Sequence, residues 1–147
     1  MSDSLFNSAY DSAKSLLEQE VASDEGYREH LYKCTAGKLT IGYGTNVSAG
    51  LPQDDALVLL RYRLSKIDAI LSSRFPWYDD APEVKRRALC NMAYQLGIDG
   101  LLAFKKMLAE CSVGNWVAAA DHALDSKWAK YDTPARALRI AQMFQRR

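Results

Sequence analysis

Five apolar residues, Leu57, Leu60, Leu64, Ile67 and Leu71, recur at 3-4-3-4 spacing between two prolines, Pro52 and Pro76. That period is helical, and it predicts one long helix over about 53–73 with a single apolar stripe. Pro52 sits where a helix can start, with Asp54 and Asp55 suited to its positive end. Arg74-Phe75-Pro76 ends it. One such helix is too short and isolated for a coiled coil, so the rest of the chain must supply what its stripe packs against.

The flanks differ in character. Before the long helix, Ala9, Ala13, Leu16, Leu17 and Val21 predict a helix from Leu5 to about Ala22, and Gly26 is a natural residue to follow its end. Glu25 therefore falls at or just past that C-terminus. Tyr27 to Asn46 is then punctuated by Gly37, Gly42 and Gly44 and enriched in strand formers. Thr35-Ala36-Gly37 reads as the turn of a β-hairpin of roughly 28–34 and 38–44. By period two, Leu39, Ile41 and Tyr43 share an apolar face and Thr40 points away from it. After the long helix everything reads helical: about 82–95 closed by Gly97, 99–111 ending near Gly114, 115–124, a short segment around Trp128, and a last helix with Thr133 as N-cap and Pro134 at N1. The fold class is α+β. A small β-containing part, about 24–50, and a larger helical part, about 1–23 with 76–147, are joined by the long helix in a single domain over 1–147.

Composition narrows the function classes. The 147 residues carry 19 basic and 18 acidic side chains, a net charge of +1 that gives little global attraction for nucleic acid or an anionic membrane. From Ala135 onward there are four arginines (Arg136, Arg139, Arg146, Arg147) and no acid, a solvated helix face or an aid in approaching an anionic polymer. Three widely spaced cysteines, Cys34, Cys90 and Cys111, form no CxxC pair and suggest free thiols in a reducing compartment. His30 and His122 lack partners at ligand spacing, so neither a metal nor any cofactor is expected. No secretory signal is visible in Met1 to Glu20, and no apolar run approaches the ~20 residues that span a bilayer. Stable membrane insertion is not expected, and a monomer is.

Two places could carry chemistry. Glu25 at a helix C-terminus faces the negative end of the macrodipole, which disfavours its charged form; partly desolvated, it would serve as a general acid, and an opposing arginine would temper the effect. The alternative is a surface glutamate beside a helix end. The glycine-bordered strand around Thr40 either lets a polymer approach the backbone or shapes a tight hairpin.

Taken together these residues resemble the phage lysozymes, the muramidases of glycoside hydrolase family 24. That family's signature is a Glu, eight residues, an Asp or Cys, five residues and a Thr, matched here by Glu25, Cys34 and Thr40 within EGYREHLYKCTAGKLTIGYG. A second block, KRRALCNMAYQLG from Lys85 to Gly97, resembles the family's central helix. Phe104, Trp116 with Ala119 and Ala120, Ser126-Lys127-Trp128 and Thr133-Pro134-x-Arg136-Ala137 follow in the expected order, so the likeness covers about residues 15–145.

The resemblance implies roles. Glu25 would protonate the glycosidic oxygen, Cys34 would stand where the second carboxylate usually does, and Thr40 would position water or the scissile sugar. Tyr94 and Gln95 match cleft-lining positions, and Arg136 matches an arginine that approaches the catalytic Glu. Asn91 matches a polar residue of the central helix and reads as structural support. Met107 and His122 align near substrate contacts. Thr45-Asn46-Val47 replaces a histidine-containing segment, which leaves Asn46 as a candidate sugar contact.

The expected partner is the peptidoglycan glycan strand, cleaved at the β-1,4 bond between N-acetylmuramic acid and N-acetylglucosamine. Two other readings stay open: a lytic transglycosylase, which can run on one essential Glu, and an inactive peptidoglycan-binding module. Glycosidases ordinarily use two carboxylates, about 5–5.5 Å apart for retention and about 6.5–9.5 Å for inversion. A thiol at Cys34 is therefore a nucleophile, a water orienter, a replaceable group or a small apolar filler. The setting implied is an enzyme made in the cytoplasm and acting on the wall after release, as a phage endolysin, a tail enzyme or a bacterial effector.

Overall fold

The computed structural model describes residues 15–147. The chain divides at Leu59/Leu60 into two compact units, Met1–Leu59 and Leu60–Arg147.

In the first unit, α1 spans Leu16–Glu25. It opens with a reciprocal capping box: the Ser15 hydroxyl accepts from the Glu18 amide at 3.1 Å, and the Ser15 amide donates to the Glu18 carboxylate at 2.6 Å. The expected start at Leu5, with Ala9 and Ala13, lies outside the described residues. The helix runs three residues past the expected end near Ala22, and Gly26 at φ +71 closes it directly after Glu25, as its place in the sequence suggested. Three strands follow, β1 (Arg28–Lys33), β2 (Leu39–Gly42) and β3 (Thr45–Asn46), in one antiparallel sheet of order β1-β2-β3. Tyr32 faces Thr40 and Lys33 faces Leu39, but Arg28 pairs with Gly42, so β1 carries extra residues between Arg28 and Tyr32 and bulges there. The hairpin was expected; β3 and the bulge were not.

The alternation expected for β2 is compatible with its burial, and the covered side is the one Thr40 occupies. Thr40 is the buried residue of β2, 4% exposed, while Leu39 and Tyr43 are 41% and 44% exposed. Alternation fixed which side chains share a face but not which face is covered. Thr40 tolerates burial because its hydroxyl donates to the Lys38 carbonyl at 3.0 Å.

Helix α2, Gln53–Arg74, runs from the first unit into the second. The predicted stripe is on its packed face, but burial is graded: Leu57 is exposed, Leu60, Leu64 and Ile67 are half-buried, and Leu71 is fully buried. In the second unit α3 (Glu83–Leu102), α4 (Lys105–Ser112), α5 (Trp116–Leu124), a π-helical turn (Trp128–Asp132) and α6 (Pro134–Gln145) surround one core. Gly97, at φ +76 and ψ 166, kinks α3 where a helix end was expected. The single helix expected over 99–111 is instead broken at Ala103-Phe104, and Phe104 turns its ring edge-on to Trp128, 5.8 Å between centroids. Leu89, Met92, Leu101, Ile140 and Phe144 fill the core.

Two polar devices tie this core together. Tyr78 is fully buried, and its hydroxyl donates to Asp68 Oδ1 at 2.7 Å and lies 3.0 Å from Cys90 Sγ. Desolvation, then the Cys90 and Asp68 bonds, push that hydroxyl well above the usual tyrosine range. Lys85, 4% exposed, aims its ammonium at the carbonyls of Met143 (3.1 Å), Phe144 and Arg146, capping the C-terminus of α6.

Candidate active site

The chemistry-bearing residues of the first unit lie around the hairpin. Glu25 is the last residue of α1 and is exposed, so the partly desolvated setting expected from the sequence is not what the structure holds. Its carboxylate rests against Gly44, in the turn between β2 and β3: a Cβ at Gly44 would overlap Oε2 and stand 2.8 Å from Cδ. The rings of Tyr27 and Tyr43, 5.4 Å apart, bring together the two segments that follow Glu25 and precede Gly44.

Cys34 follows β1 at the hairpin turn. Its amide donates to the Lys38 carbonyl at 2.9 Å and its carbonyl accepts from Gly37 at 2.8 Å, which folds the turn back over the sulfur. The backbone amides of Lys38 and Ala36 hold the Cys34 thiol below the usual cysteine range, and desolvation opposes them. Cys34 and Thr40, matched above only by spacing, meet at one turn: the Lys38 carbonyl accepts from both the Cys34 amide and the Thr40 hydroxyl. The other two thiols go the opposite way. Burial raises Cys90, and burial pushes Cys111 up to about 12. Asn46 pairs with Thr40 across the sheet, and its side chain accepts the Ser48 amide at 2.9 Å.

The remaining candidates belong to the second unit. Tyr94 is 42% exposed on α3. Gln95 is engaged at both ends of its amide: Trp128 Nε1 donates to its Oε1 at 3.0 Å, and its Nε2 donates to Thr133 Oγ1 at 3.2 Å. Thr133 stands at the N-cap of α6 as expected, but its hydroxyl serves Gln95 and makes no capping bond. Arg136 Nε donates to Asn91 Oδ1 at 2.9 Å and its Nη2 to the Asn91 carbonyl at 3.2 Å, so the supporting reading of Asn91 has a physical basis. His122 lines an open cavity of about 390 Å³ with Phe104, Lys105, Lys106, Met107 and Asp125. The two lysines and Asp125 were not picked out from the sequence, and nothing in their local pattern separates them from ordinary surface charge. Gly44 was visible as a close-approach glycine, but the group that approaches it belongs to the protein.

Among the described residues no cluster of three His, Cys, Asp or Glu side chains could hold a metal ion, and no helix is long and apolar enough to cross a membrane.

Likeness to known proteins gives the chain its class, a lysozyme-like glycosidase that hydrolyses peptidoglycan. The phage lysozyme family matches residues 22–147, and the chain belongs to that family. It is 24% identical to the probable T4-type lysozyme 2 of Dictyostelium discoideum, over 89% of this chain and 94% of that one. It is also 24% identical to an endolysin of Acyrthosiphon pisum secondary endosymbiont phage 1, over 84% of each. The pre-baseplate central spike protein of Enterobacteria phage T4 matches at 26% over 82% of this chain, but over only 26% of its own length.

Proposed function

We propose that the chain cleaves the β-1,4 bond between N-acetylmuramic acid and N-acetylglucosamine, with Glu25 as the general acid. The carrying observation is the placement of the Glu25 carboxylate, exposed at the end of α1 and seated on the bare Cα of Gly44. A proton donor must reach the leaving oxygen directly, and an exposed carboxyl at a helix end does so without moving the backbone. Cys34 and Thr40 act as a pair. The two turn amides favour the thiolate, which supplies negative charge where ordinary glycosidases place a second carboxylate, and the Thr40 hydroxyl beside it orients the attacking water.

The second unit supplies sugar contacts through Tyr94, His122 and Arg136, the last held in place by Asn91. Asn46 contributes from the sheet. Gln95 acts through its hold on Trp128 and Thr133.

Mass spectrometry of products from purified peptidoglycan tests this reading. Wild type should release reducing muropeptides, one water heavier than the 1,6-anhydro forms. Glu25→Gln should release none, and Cys34→Ser should retain a reduced rate. Anhydro products would instead make the enzyme a lytic transglycosylase. Full activity in Glu25→Gln would remove Glu25 from the chemistry.

A further inference from the structure

Seven glycines adopt positive φ, and at six of them an added Cβ would meet nothing within 4 Å. Gly44 is the exception. Its φ of +74 disfavours a side chain, as at the other six, but the space a Cβ would fill is already taken by the Glu25 carboxyl group. Two demands therefore fall on one residue, and only the first is the ordinary demand of a turn. The second ties the β2–β3 turn to the end of α1 at the atoms that transfer the proton.

We propose that Gly44 is a positioning residue for the reaction: its missing side chain makes the seat in which the Glu25 carboxyl group is held at the height of the scissile bond. This rests on the reading of Glu25 as the acid. A Cβ there must push the carboxylate aside, because the overlapping atoms on the glycine side are backbone. The displacement needed is of the order that costs a well-placed catalytic group roughly 10²-fold in rate. Glycan binding, which does not need the proton to arrive, should change little.

Gly44→Ala is compared with Gly50→Ala, which adds a Cβ at a φ of +96 with nothing within 4 Å. Both substitutions should lower Tm through backbone strain. Gly44→Ala should also lower kcat on soluble glycan strands by roughly 10²-fold with KM within about twofold of wild type, while Gly50→Ala keeps kcat near wild type.

Glu25→Asp then supplies the compensating partner. Shortening the side chain withdraws the carboxyl carbon to the place of Cγ, 3.4 Å from the added Cβ, and its oxygens to about the place of Cδ, 2.8 Å away, where Oε2 had overlapped it. Gly44→Ala should therefore cost much less in a Glu25→Asp background than in wild type. Stability is the control: the exposed Glu25 side chain can swing aside, so the Tm loss of Gly44→Ala should reflect its backbone φ and stay about the same when Glu25→Ala removes the carboxylate. Equal kcat in the two glycine variants, or the same loss of kcat from Gly44→Ala in the wild-type and Glu25→Asp backgrounds, overturns the proposal. Activity surviving in Glu25→Gln overturns the reading beneath it, and the two failures are separable.

Discussion

At the scale of single residues the three thiols give the sharpest contrast. Reactivity follows the thiolate, and Cys34 is the thiol whose surroundings favour that form, whereas burial disfavours it at Cys90 and more so at Cys111. With limiting iodoacetamide at pH 7, peptide mass spectrometry should find Cys34 modified first. Cys111, held neutral up to about 12, should react only after denaturation. Equal labelling of all three would mean that the hairpin amides do not act on the sulfur. The sequence located Cys34 through its spacing from Glu25 and Thr40, yet it left the thiol's chemistry open between four roles. The groups that favour its thiolate are the amides of Lys38 and Ala36, and their direction depends on how Thr35-Ala36-Gly37 folds back. Thr40 shows the same limit, since a four-residue strand gives the period of its faces but not which one is covered.

At the scale of elements, legibility followed length and punctuation. The long helix was read to within a residue at each end because Pro52, the stripe and Pro76 all agree. The strand β3, two residues long, is below what a periodic pattern can signal. The break at Ala103-Phe104 carries no glycine or proline, and the edge-on packing of Phe104 on Trp128 accompanies it. The Lys85 cap was equally invisible, because a lysine opening a basic stretch reads as solvated surface until the C-terminus of α6 is brought to it. Lys85→Met keeps most of the volume and leaves the carbonyls of Met143, Phe144 and Arg146 without this donor. The expected cost is about 1–3 kcal/mol, the range for stranding buried hydrogen-bonding groups. It should appear in urea titrations as a lower midpoint at unchanged slope. An unchanged midpoint would show that water replaces the ammonium at no cost.

At the scale of the whole molecule, apolar burial is unevenly shared. The core of buried residues, from Leu71 to Phe144, lies wholly in the second unit. Among the described residues of the first unit only Thr40 is buried, and Leu16, Leu17, Val21, Leu31 and Tyr43 are all exposed. Local stability tracks buried contacts, so native-state hydrogen exchange should resolve two levels. Amides of α3, α5 and α6 should exchange only by global unfolding, while those of α1 and the β1-β2-β3 sheet open at a lower free energy. Glu25, Cys34, Thr40 and Gly44 all sit in that less protected unit. Their geometry then depends on hairpin hydrogen bonds and on the Glu25–Gly44 seat more than on a packed core. A glycan that engages them should raise protection in α1 and the sheet and leave the innermost amides of α3 unchanged. Uniform protection in the free protein would instead show one cooperative unit, and the hairpin would then owe its order to contacts beyond its own side chains.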